Sequence, residues 1–135
     1  MTPDRAIAPQ VSCIQDAFER VVTARVSQPA VVCGEDQWSY EQLNAESNRI
    51  AHALIALGIE YEEPVAISLP RSCEYIAAML GVLKAGGAYV PVVDNQPTQR
   101  LCAILQDCGA RFMLSRDDHL PALHDQVERV ITRDL

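Results

Sequence analysis

Five groups of residues carry side chains or backbone freedom suited to chemistry. Arg71-Ser72 and Asp94-Asn95-Gln96 each follow an apolar run and precede a helical pattern. That is where open parallel sheets gather their ligands, and a helix N-terminus there can hold an anion. Lys84 with Gly86-Gly87 combines a cation with a glycine pair. His52, His119 and His124 supply the imidazoles, and Cys13, Cys33, Cys73, Cys102 and Cys108 the thiols.

None of these groups assembles into a reaction centre on residue chemistry alone. Ser, Asp and Asn occupy helix starts mostly to cap them, so Arg71-Ser72 and Asp94 to Gln96 read first as caps and turns. A phosphate loop lies between a strand and the following helix, whereas Gly86-Gly87 follows a helix and precedes a strand. Lys84, in the last helical turn, complements the negative end of the helix dipole. His52 lies on a helix, and His119 and His124 are five apart, on different helical faces, so the three are not a ligand set. No H-E-x-x-H, G-x-x-x-x-G-K-[ST] or Ser-His-Asp pattern occurs. The five cysteines show no C-x-x-C and no zinc spacing, and their odd number predicts free, buried or semi-buried thiols. No catalytic, cofactor-binding or metal-binding residue is assigned.

The elements that must position these residues alternate. Residues 1–10 are polar with two prolines and predict a flexible leader; residues 11–135 read as one unit. Val11, Ile14, Phe18 and Val21 recur at helical spacing over residues 11–25. Ala30 to Cys33 and Gln37 to Ser39 flank Gly34-Glu35-Asp36 and predict a hairpin, with Trp38 packing over it. Ser39 and Gln42 form a capping-box pattern for a helix whose inner face carries Leu43, Ile50, Leu54 and Leu57. Its other face, with Glu46, Asn48 and Arg49, reads as solvated, and Gly58 stops it. Pro64 to Leu69 is an apolar run of the kind covered on both faces of a sheet. Ser72 caps the next helix, whose small residues Ala77, Ala78, Gly81 and Ala85 predict close packing on that sheet. Gly86-Gly87 stops it before a strand from Ala88 to Val93. Pro97-Thr98 opens a helix with Leu101, Ile104 and Leu105 inward and Gly109 at its end. A strand at Arg111 to Ser115, a short helix near Asp118 to His124 and a strand at Glu128 to Thr132 follow. The fold class predicted is α/β: an N-terminal hairpin and helices, then a parallel sheet flanked by helices.

Composition narrows the function classes. At 49% hydrophobic and 21% charged, the 135 residues suit one globular domain. A net charge of −7 argues against nucleic acid or an anionic membrane as partner. No apolar run approaches the roughly 18 residues of a membrane-spanning helix. Met1-Thr2-Pro3-Asp4-Arg5 shows no basic-then-apolar export pattern, which predicts a cytoplasmic location.

Three stretches together resemble one family. Trp38-Ser39-Tyr40-Glu41-Gln42-Leu43-Asn44 with Asn48-Arg49-Ile50-Ala51 is similar to the first core motif of nonribosomal peptide synthetase adenylation domains. Leu83-Lys84-Ala85-Gly86-Gly87-Ala88-Tyr89-Val90-Pro91 is similar to their second. Val65 to Ser72 with Glu74 matches the segment between, and Arg100-Leu101 with Ile104, Leu105 and Asp107 the helix beyond. The likeness runs from about Phe18 to Thr132. It implies the first subdomain of the adenylate-forming fold, and a reaction in which ATP activates an amino acid to an aminoacyl-adenylate for loading on a carrier-protein thiol, with magnesium at the phosphates. In the family, the phosphate loop, the magnesium and ribose ligands, the specificity pocket and the catalytic lysine all lie in later chain. ATP and magnesium are therefore expected only for the intact domain, and this chain alone is expected to be inactive. The expected partners are the remainder of an adenylation domain, a synthetase or a carrier protein. The alternatives are a non-catalytic interaction module of the same fold and part of an acyl- or aryl-acid ligase. After Pro91 the family has an apolar residue and Asp-Pro, whereas this chain reads Val92-Val93-Asp94 and regains the pattern at Pro97.

Overall fold

The structure, a computed structural model, is described for residues 13–93, 97–115 and 128–131. Helix α1 (Ile14–Ala24) leads to an antiparallel hairpin of β1 (Pro29–Cys33) and β2 (Asp36–Ser39), then to α2 (Tyr40–Ala56). Strand β3 (Pro64–Ser68), helix α3 (Cys73–Lys84), β4 (Ala88–Pro91), α4 (Thr98–Cys108), β5 (Phe112–Ser115) and β6 (Glu128–Ile131) follow. The last four strands form one sheet in the order β4-β3-β5-β6, parallel throughout. The α/β architecture expected from the alternation is the one observed.

Strand β3 is the axis of the sheet because it is apolar on both faces. Val65, Ala66 and Ile67 are all inaccessible to solvent. Side chains alternate along a strand, and the two faces accordingly feed two separate cores. Val65, Ile67, Phe112 and Leu114 join Leu43, Ile50 and Leu54 of α2 and Ala77, Leu80 and Val82 of α3. Ala66 and Met113 face the other way, onto Leu101 and Leu105 of α4 with Val92 and Ala110. Each fully buried large aliphatic side chain contributes about 1.5–3 kcal/mol of transfer free energy, so α2 and α3 form the heavier layer.

Local signals set the boundaries. Ser39 Oγ accepts from the Gln42 N–H at 3.2 Å and Gln42 Oε1 accepts from the Ser39 N–H at 2.8 Å, which satisfies two otherwise orphaned donors at the start of α2. Gly86 adopts φ +86°, and the Gly87 N–H donates to the Val82 carbonyl at 2.9 Å, closing α3. Trp38 packs against the larger core from the hairpin.

Several expectations are corrected. Leu57 is 40% exposed because it caps α2 and points past the core. Strand β4 ends at Pro91, and Val93, expected inside it, is 71% exposed. The small-residue stripe of α3 serves a helix as well as the sheet: a Cβ on Gly81 would stand 2.6 Å from Ile50 Cγ2 and 3.0 Å from the Ser47 carbonyl oxygen of α2. The leader over residues 1–10, the helical start at Val11, the Asp94-Asn95-Gln96 turn and the helix near 118–124 lie outside the described residues.

Candidate functional site

Where β3 and β4 end, a groove of about 640 Å³ opens between the sheet, the start of α3 and the hairpin. Leu69, Tyr75, Met79, Val92 and Val93 line it, together with Arg71 and Ser72. The Ser72 hydroxyl is committed to local work: it accepts from the Tyr75 N–H at 3.2 Å and donates to the Pro70 carbonyl at 3.0 Å. That is the capping role its residue type predicts. Among the described residues Arg71 is the one cation lining the groove, and no carboxylate among them lines it. Such a surface takes up apolar groups and offers a triphosphate a single guanidinium and magnesium no ligand. ATP with magnesium does not fit the described residues.

The opposite edge is polar. Lys84, whose side chain is 8% exposed, donates to Asn44 Oδ1 at 2.7 Å and Asn48 Oδ1 at 2.8 Å. It also meets Glu19 Oε1 at 3.0 Å and stands 5.2 Å from the Phe18 ring centroid. Beside it, Gln15 Nε2 donates to the Leu83 carbonyl at 2.9 Å. One ammonium thus ties α1, α2 and α3 together. Its role exceeds the helix-dipole complement expected, and Asn48, expected on the solvated face, is half-buried as its acceptor. The i,i+4 spacing of Asn44 and Asn48 is the signal that could have placed two acceptors on one helix face.

A second clamp stands at the same edge. Arg111 grips Glu63 through Nε to Oε2 at 2.6 Å and Nη2 to Oε1 at 2.9 Å, and Nη2 reaches the Gly58 carbonyl at 3.3 Å. Hydrogen bonding from Arg111 holds the Glu63 carboxyl below its ordinary value, against the upward pull of burial. Gly87 sits between these features: a Cβ there would lie 2.9 Å from Ile59 Cδ1 and 3.0 Å from the Glu63 carbonyl oxygen. The glycine pair is a close-packed joint at the edge of the sheet remote from the groove.

Other sequence candidates do not converge. His52 is exposed on α2, and His119 and His124 lie outside the described residues. Among the described residues no three His, Cys, Asp or Glu side chains are placed to hold a metal ion. Cys73 is buried, and Cys13, Cys33, Cys102 and Cys108 are half-buried, all five free. No helix among the described residues is long and apolar enough to cross a membrane.

Comparison with known proteins agrees with this architecture. The AMP-binding enzyme family matches residues 18–134, and the chain belongs to that family. Over 105 residues it is 44% identical to the probable non-canonical nonribosomal peptide synthetase CymA of Salinispora arenicola, covering 78% of this chain and 1% of CymA. It is 39% identical over 109 residues to surfactin synthase subunit 2 of Bacillus subtilis, covering 81% of this chain and 3% of the subunit. The N-terminal subdomain of Klebsiella oxytoca NpsA, solved in complex with 3-hydroxyanthranilyl-AMSN, superposes with a TM-score of 0.77 at 23% identity, over 92% of this chain and 30% of the subdomain. Within the family, the chain corresponds to the N-terminal part of an adenylation domain of the nonribosomal peptide synthetase type, and it spans a small fraction of the relatives it matches.

Proposed function

We propose that this chain is a non-catalytic layer of an amino-acid-activating adenylation domain, with residues 11–135 forming one partial AMP-binding domain in the cytoplasm. In the intact domain, ATP and an amino acid would give an aminoacyl-adenylate and pyrophosphate, and the acyl group would pass to a carrier-protein thiol. The chain's own contribution is architectural. It supplies the sheet, the two-helix layer behind it, and an apolar groove lined in part by Val93, which is 71% exposed, against which the rest of such a domain would pack.

The observation that carries this reading is the composition of the C-terminal sheet edge. In open parallel sheets that edge holds the chemistry, and its described residues around the groove present one guanidinium, a hydroxyl used as a cap, and apolar side chains. Amino-acid-dependent ATP–pyrophosphate exchange by the purified chain, over a panel of amino acids, tests it. The expected rate equals the enzyme-free blank.

The open apolar groove with exposed Val93 also suits the alternative, an interaction module that kept the fold without the chemistry and binds a synthetase or carrier protein. Sedimentation with thermal unfolding separates the two: a layer of a larger domain self-associates through its apolar edge, whereas a module stays monodisperse and unfolds cooperatively.

A further inference from the structure

We propose that the apolar hollow along α3 binds a single-chain amphiphile, a linear alkyl tail with one negative charge at its head, and that Arg71 holds the head. The groove at the C-terminal sheet edge continues beyond that edge. A second hollow, of about 340 Å³, lies between α1, the hairpin and the later part of α3. Val31, Ile76 and Met79 line both hollows and all three are only half-buried, so the two adjoin along one face of α3.

The sequence of α3 explains the path. Ile76, Met79, Leu80 and Leu83 recur at helical spacing on one face, while Ala77, Ala78 and Val82 are buried in the larger core. The lined face runs from Arg71 and Ser72, just before the helix, to Leu83 in its last turn. Twelve helical residues span about 18 Å, a distance that suits an extended dodecyl chain. Over the far end stands α1, which buries none of its residues. It is held at its flank by Gln15 on the Leu83 carbonyl and Glu19 on Lys84, and the space beside Ile14 and Phe18 is left to the hollow.

The lining sets the chemistry of the ligand. Among the described residues, Arg71 is the one charged side chain along the two hollows. It is exposed, so a head bound there keeps its contact with water. A guanidinium pairs with an anionic oxygen head through parallel hydrogen bonds. A ligand charged at both ends would bury its second charge without a partner. Apolar walls with one polar group to fix orientation are the usual make-up of a small-molecule site, and every buried methylene adds to affinity. The inference goes beyond the reading of this chain as a layer of a larger domain: it concerns what the groove takes up when no further chain covers it.

Calorimetric titration of the purified chain tests the site, with dodecanoate, dodecanol and dodecyltrimethylammonium each below its micelle concentration and no ATP present. Failure here therefore leaves the pyrophosphate-exchange result untouched. The expected result is one dodecanoate per chain, bound about tenfold more tightly than dodecanol, with affinity rising from octanoate to dodecanoate. Arg71→Gln should bring dodecanoate and dodecanol level. Ala30→Leu, which narrows the second hollow, should keep octanoate binding and lose the gain from the longer chain. Equal binding of the three head groups, several equivalents per chain, or no saturable heat would overturn the proposal. So would capture of the chain by phosphatidylglycerol vesicles without binding of free dodecanoate, which would make the partner a bilayer. If Ala30→Leu fails to fold, the chain-length series on the unsubstituted protein and the head-group comparison in Arg71→Gln decide.

Discussion

The two edges of the parallel sheet are built on opposite plans. At the edge where β3, β4 and β5 begin, charged side chains find partners: Lys84 its two asparagines and Glu19, Arg111 the Glu63 carboxylate and a backbone carbonyl. At the edge where β3 and β4 end, the surface is apolar and open around Arg71. A satisfied polar network locks helices to a sheet and is costly to disturb. An unpartnered apolar groove contributes little to the stability of the chain that displays it, because its value is realised only when something covers it. Function in such sheets gathers at the second edge and stability at the first. Among the described residues the first edge carries the charged network and the second an open apolar groove.

Substitutions at the two edges should separate accordingly. The largest loss is expected for Lys84→Met, which leaves two asparagine oxygens and Glu19 without their cation. Chemical denaturation should show about 3 kcal/mol of destabilisation, and a loss below that of a surface substitution would remove the network from the account. Gly81→Ala comes next. Its Cβ would be 2.6 Å from Ile50 Cγ2 and 3.0 Å from a backbone oxygen, so α2 and α3 must separate at a cost of about 2 kcal/mol, read as a lower midpoint with an unchanged slope.

Glu63→Gln should cost about 1 kcal/mol, because half-exposed Arg111 is screened by solvent, and should change the pH profile. The Glu63 carboxyl is held below its ordinary value of 4.5 in the fold. Its contribution is therefore fully present above that value and is lost as pH falls through the lower, folded-state value. The unsubstituted chain should lose stability over that acid range more steeply than Glu63→Gln, and parallel profiles would contradict the clamp. At the open edge, Val93→Ser should change stability by less than about 0.5 kcal/mol. A cost comparable with that of Lys84→Met would mean that the groove is part of the core and the contrast between edges false.

The fold was legible wherever a local rule decides it. Ser39 and Gln42 announced the start of α2, Gly58, Gly86 and Gly109 ended helices, each with positive φ, and the apolar run Pro64 to Leu69 marked the doubly covered strand. Long-range partnerships were not legible. Lys84 reads locally as a dipole complement, and its acceptors lie 36 and 40 positions earlier. Glu63 and Arg111, 48 positions apart, carry no pattern at all. The groove escaped for a related reason: its walls come from the hairpin, the β3 and β4 ends and α3, and only the strand order brings them together. Arg71 and Ser72 were correctly placed at a strand end, and their neighbours decided that one would cap a helix and the other face an apolar surface.

The central claim is that this chain has the architecture of an adenylation domain's N-terminal part without its chemistry. ATP–pyrophosphate exchange by the purified chain, measured with each amino acid in turn, tests it most directly. The account predicts no exchange above the enzyme-free blank for any amino acid. Amino-acid-dependent exchange that Arg71→Ala abolishes would contradict it, by placing the reaction in the groove this chain already has.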